Sequence, residues 1–172
     1  MLSESARVTT AHEASYRIQY PNSKRRSVKI IALDNSSARI VYDIAREHWN
    51  GAMFFTSLSF SAAGSPGDSE GTTLHAWLGD LAGRTMELVG EVATSDFVVV
   101  IASAGSDAQS VSVVADACAL HNKSLLALVV PGKNTTEADV AKSLGYLRPF
   151  AKMLVVASDA DYVTAMLTAL RA

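Results

Sequence analysis

The sequence predicts an α/β chain with a three-layer Rossmann-like fold, built on a mainly parallel sheet of about five strands. Three observations carry this. Between residues 95 and 132 an apolar run (F-V-V-V-I-A, 97–102) meets a small-residue loop (103–106), an amphipathic segment (107–121) and a second apolar run (L-L-A-L-V-V, 125–130). Two β-rich runs separated by a helix of this length form a parallel βαβ unit. The same alternation recurs on either side of that unit. Finally, 49% of the residues are hydrophobic and only 19% are charged, as expected for strands covered on both faces. The 172 residues suit one domain, residues 28–172, preceded over residues 1–27 by an N-terminal arm or an extra edge strand.

Taken in order, residues 15–20 (S-Y-R-I-Q-Y) place Tyr16, Ile18 and Tyr20 on one side at period two, and Pro21-Asn22 ends the run. Residues 28–33 (V-K-I-I-A-L) are the first strand. A helix over 37–49 follows, with Ile40, Val41, Ile44 and Ala45 at helical spacing and Asn50-Gly51 as its C-cap. Residues 52–60 read as the second strand. Residues 61–73, rich in Ser, Gly, Ala and Asp, read as a mobile lid. Helical pattern resumes over 74–92, interrupted by Gly79, Gly83 and Gly90. After the central unit, a helix over 136–147 has Glu137 and Asp139 near its positive end and Pro149 beyond its end. Residues 152–157 are the last strand, and 159–170 the closing helix.

Each strand ends in small polar residues. In an open parallel sheet these tips share one rim, where ligands bind at the point at which strand order reverses. The candidate binding residues are therefore Asp34, Asn35 and Ser36 after the first strand, Ser103, Ala104, Gly105, Ser106 and Asp107 after the central one, and Ser158 and Asp159 after the last. Helix N-termini on that rim favour anions, and the loop at 103–106 is expected to lead directly into a helix beginning at Asp107. Ser, Asp and Asn are equally the preferred helix caps, with or without a ligand.

Several chemistries lack their signatures. Neither G-x-x-x-x-G-K-[ST] nor G-x-G-x-x-G is present, and L-D-N-S-S-A follows the first strand where glycines would be needed, which argues against NAD and ordinary P-loop ATP binding. No cofactor is assigned. His12, His48, His75 and His121 have no partner histidine four residues away, and Cys118 is the single cysteine, so no metal site is expected. Cys118 lies in an apolar helical pattern and reads as an inert core thiol. No G-x-S-x-G elbow marks a hydrolase, and no catalytic residue stands out. A net charge of -2, with Lys24, Arg25 and Arg26 as the one basic cluster, argues against nucleic acid and anionic membranes as partners. No apolar stretch approaches membrane-spanning length and the first ten residues lack a signal peptide's apolar centre, so the expected compartment is cytoplasmic.

Residues 93–163 resemble the nucleotide-binding domain of the tubulin/FtsZ family. Asp96-Phe97-Val98-Val99-Val100-Ile101 resembles its D-x-V-F-I strand, Val113-Val114-Ala115-Asp116-Ala117 the helix after the phosphate loop, and residues 125–130 the next strand. Residues 147–159 resemble the block after that, and residues 28–39 the family's first strand and helix. The resemblance implies shared architecture. The family's G-G-G-T-G-T-G becomes S-A-G-S-D-A-Q here, keeping Gly105 alone, so GTP hydrolysis is not implied. More narrowly, the loop at Ser103, Ala104, Gly105 and Ser106 is similar to that of sugar-isomerase (SIS) domains, which grip a phosphosugar at a helix N-terminus.

Three functions are consistent with these residues. One is a module binding a small anionic ligand, a nucleotide or phosphosugar, at the C-terminal rim of the sheet. Another is a non-catalytic subunit or scaffold, a homodimer among its forms, acting through protein–protein contacts that include the aromatic arm. The third is a transferase or hydrolase using Asp34, Ser103 or Asp159.

Overall fold

The computed structural model describes residues 26–59, 77–82, 84–157 and 159–172. The expected arm at 15–20, the lid at 61–73, His12, His75 and Ser158 lie outside the described residues. Among the described residues seven strands form one sheet: β1 (Val28–Ala32), β2 (Ala52–Ser59), β3 (Trp77–Asp80), β4 (Thr85–Glu87), β5 (Phe97–Ser103), β6 (Ser124–Val130) and β7 (Met153–Val156), in the order β4-β3-β2-β1-β5-β6-β7. Strands β2, β1, β5, β6 and β7 are mutually parallel. This is the expected five-stranded core, in the doubly wound order 2-1-3-4-5 known from flavodoxin-like sheets.

Among the described residues five helices cover it: α1 (Asn35–Ile44), α2 (Leu88–Ala93), α3 (Val111–Leu120), α4 (Glu137–Leu147) and α5 (Ala160–Ala169). The connection from β1 to β2 runs one way across the sheet, and those from β5 to β6 and β6 to β7 run the other way. Right-handed crossovers must then place their helices on opposite faces. They do. Val41 and Ile44 of α1 and Val163 and Leu167 of α5 pack with Ile30, Ile101 and Leu128 on one face. Leu88 and Val92 of α2, Val111 and Val114 of α3 and Leu147 of α4 pack with Ile31, Val100 and Val129 on the other. Every residue of β1 is buried, because β1 has a strand on each side and helices above and below. Each fully buried Val or Ile there contributes about 1.5–3 kcal/mol.

The structure departs from the sequence-based expectation in three places. The helix expected over 74–92 is, from residue 77 on, the antiparallel hairpin β3–β4 followed by the short α2. Asp80 makes the turn: its carboxylate accepts from the backbone N–H groups of Ala82 and Arg84 at 3.0 and 2.7 Å and pairs with Arg84 Nε at 2.6 Å. Pairing of β3 with β2 and burial of Leu78 outweigh the helical spacing. The hairpin adds two antiparallel strands to the expected parallel core, giving seven among the described residues. The first helix ends at Ile44 rather than near Trp49, since the Trp49 indole N–H donates to Ile44 O and closes it; Asn50-Gly51 is therefore not its cap. Finally, the helix expected from Asp107 begins at Val111.

A charged pair crosses one face. Lys29, within β1, is 3% exposed and its Nζ lies 2.7 Å from Glu91 Oε2 of α2. The same ammonium lies 2.8 Å from Met53 Sδ and 5.8 Å from the centre of the Phe55 ring.

Cys118 is buried in α3, and burial pushes its thiol up to about 11. At neutral pH it carries almost no thiolate, the reactive form. Iodoacetamide should therefore modify the native chain far more slowly than the urea-unfolded one, as followed by mass spectrometry; equal rates would refute an inert core thiol.

Candidate functional site

The strand order reverses between β1 and β5, so the crevice expected of an open parallel sheet lies between the residues that follow them. Asp34 follows β1 and caps α1: its Oδ1 accepts from the N–H groups of Ser36 and Ser37, both at 2.9 Å. Ser37 completes a capping box, its hydroxyl oxygen accepting from Asp34 N–H at 3.1 Å. The other carboxylate oxygen reaches across the switch point. Asp34 Oδ2 accepts from Ser103 N–H at 2.8 Å and lies 3.0 Å from Ser106 Oγ. That hydroxyl has a single hydrogen, shared with Ser103 O at 2.6 Å. Asp34, Ser36, Ser103 and Ser106 are thus brought together.

The loop that follows β5 is tied down one N–H at a time. Ser103 donates to Asp34, Ala104 to Val130 O at 3.0 Å, Gly105 to Ser143 Oγ of α4 at 2.9 Å, and Ser106 to Ser103 O at 3.1 Å. Gly105 has φ +85°, a conformation that favours glycine. A Cβ on it would meet Asp139 of α4 at 3.1 Å, and Lys142 Nζ lies 3.5 Å from Gly105 O. Gly105→Ala should therefore cost about 1–2 kcal/mol from backbone strain alone, before any clash. Urea unfolding measures this; an unchanged midpoint would mean that the loop relaxes freely.

Asp107 and Asp159 play different parts. Asp107 is exposed and accepts from Gln109 N–H at 3.0 Å, forming a local turn ahead of α3 rather than a helix cap. The loop 103–106 is accordingly not at a helix N-terminus: the α3 N-cap is Ser110, whose side chain makes no capping bond. Asp159 caps α5, accepting from Tyr162 N–H at 2.9 Å, and stands beyond β7, two strands away from β5. Asn35 is exposed in the first turn of α1.

The electrostatics of the rim are acidic. Burial acts to raise the pKa of Asp34, but N–H and hydroxyl groups of Ser103 and Ser37 outweigh it and hold the carboxyl below its ordinary value. The Ser103 hydroxyl acts there as a nearby dipole; it is buried and makes no well-aligned hydrogen bond. Asp139 is likewise held below the usual carboxylate range, chiefly by the Thr136 N–H, with Lys142 contributing. Two carboxylates thus flank the loop, one through hydrogen bonds to it and the other through contact with Gly105. The α4 residues Asp139, Lys142 and Ser143 are not among the residues the sequence points to. A serine inside a regular helix pattern carries no sign that it accepts from a loop 38 residues away.

Among the described residues no group of three or more His, Cys, Asp or Glu is placed to hold a metal ion, and no helix is long and apolar enough to cross a membrane. The chain matches no known family model and no curated protein.

Proposed function

We propose that the chain is a non-catalytic Rossmann-like module that acts through protein–protein contacts. The observation that carries this reading is the clasp at the switch point. Phosphate-binding loops work by presenting free backbone N–H groups to the anion. Every N–H from Ser103 to Ser106 is already committed within the protein, and the Asp34 carboxylate occupies the position an anion would take. Binding phosphate there would require breaking these bonds and setting negative charge beside Asp34 and Asp139. The Asp34 carboxyl, held ionised, is poorly suited to donate a proton at neutral pH, and the Ser103 hydroxyl has no hydrogen-bonded base to activate it.

A second reading, a small ligand at the same crevice, is favoured by the buried Ser103 and Ser110 hydroxyls, which lack partners that such groups ordinarily have. Thermal-shift measurements with inorganic phosphate, ATP, GTP and a hexose phosphate decide between the two. A ligand present at about a hundred times its Kd would raise the midpoint by about 5–10 °C. No shift is expected from any of them at millimolar concentration. A saturable rise that Ser103→Ala abolishes would overturn the protein–protein reading.

A further inference from the structure

We propose that the outer edge of β7 is the docking surface for a second copy of this chain, the two β7 strands pairing antiparallel about a two-fold axis. This rests on the reading of the chain as a module that acts through its surfaces. Strand β7 pairs with β6 on one side and, among the described residues, has no strand on the other. An open strand edge presents unpaired N–H and C=O groups, and natural sheets guard such edges with charge or by keeping them short.

The two edges of this sheet are treated differently. At the opposite edge β4 has three residues, carries exposed Glu87 and is preceded by the Arg84–Asp80 ion pair. Strand β7 reads M-L-V-V and bears no charge. Seven large hydrophobic residues are exposed among the described residues, and four of them fall at 150–162: Phe150 (39%), Met153 (38%), Val156 (43%) and Tyr162 (43%). Two of these, Met153 and Val156, belong to β7 itself.

The charges bordering β7 select the occupant and its direction. Exposed Lys152 stands immediately before the strand and exposed Asp159 shortly after it. A copy running antiparallel brings the basic end of each strand toward the acidic end of the other, twice over. A parallel copy would set like charges together. An edge with opposite charges at its two ends is therefore complementary to itself under two-fold symmetry, as an isologous contact requires.

Sedimentation velocity on the full chain tests this over a micromolar concentration series, with wild type, Val156→Lys and Lys152→Glu. Wild type should sediment as a dimer. Val156→Lys sets two like charges close to the axis, and Lys152→Glu sets like charges at both ends. Each should weaken association by about tenfold or more while leaving the circular dichroism spectrum unchanged. A wild-type chain that stays monomeric throughout overturns the proposal, including the case in which residues 1–25 cover the edge in the same molecule. So does a dimer that both substitutions leave intact. Either result leaves the wider protein–protein reading standing, because that reading fails only if a ligand stabilises the crevice.

Discussion

Replacing Lys29 by methionine should destabilise the chain by about 3 kcal/mol, which lowers the thermal midpoint by about 6–12 °C. The hydrophobic stem of methionine fills most of the lysine volume, so the loss is not mainly one of packing. It comes from Glu91, whose side chain is 15% exposed and would be left without its cation beside an apolar face. Breaking one side of a buried ion pair costs more than the pair contributes, because the remaining charge must stay unsolvated or drag water inward. The partial exposure of Glu91 places the expected loss at the low end of the usual range. Removing both charges should recover most of it: Lys29→Met with Glu91→Leu should fall within about 1 kcal/mol of wild type. Urea titrations of the two single variants and the double variant close the cycle. If Lys29→Met unfolds at the wild-type urea concentration, the pair contributes nothing to stability and Glu91 is solvated well enough without its cation.

Asp34→Ala should be nearly as damaging, at about 2–4 kcal/mol, since it removes the α1 cap and strands the Ser103 N–H at the centre of the switch point. Asp34→Asn keeps the capping oxygen and should cost less. The two variants also separate in acid. A carboxyl whose folded value lies below its unfolded value near 3.8 binds protons more tightly in the unfolded chain. Its stabilisation is fully present above that unfolded value and is lost as pH falls through the lower folded one. Asp139, held down by Thr136, and Asp80, held down first by the Arg84 N–H, act in the same direction. The wild-type stability curve should therefore fall away below about pH 4, and in Asp34→Asn that fall should be shallower. Parallel acid limbs in the two proteins would mean that Asp34 titrates alike folded and unfolded.

The legible parts of this fold are those in which local pattern and tertiary environment agree. Runs such as 97–102 and 125–130 are apolar throughout because β5 and β6 are buried on both faces, and such strands declare themselves without any partner. The hairpin is the opposite case. W-L-G-D and T-M-E are too short to show an alternation, and their pairing depends on β2 and on a turn made by the Asp80 carboxylate. At the rim, strand ends could be picked out by composition, so Asp34, Ser103 and Ser106 stand together as expected. Their hydrogen bonds could not be read: Asp34 is joined to residues 69 and 72 positions away, and the same residue types cap helices or hold ligands with equal ease. The exposed apolar edge at β7 was similarly hidden, since M-L-V-V reads as core until the strand order shows that, among the described residues, no strand lies beyond it.

The position of β1 has a consequence for how the chain is made. Val28 aligns with Ala52 on one side and with Phe97 on the other, so the central strand meets its second neighbour only after 69 further residues have been synthesised. At ordinary ribosomal speeds that interval lasts roughly 3–14 seconds. Throughout it the side of β1 that will pair with β5 has no mate in the sheet, and any agent that shields newly made chains has time to act there.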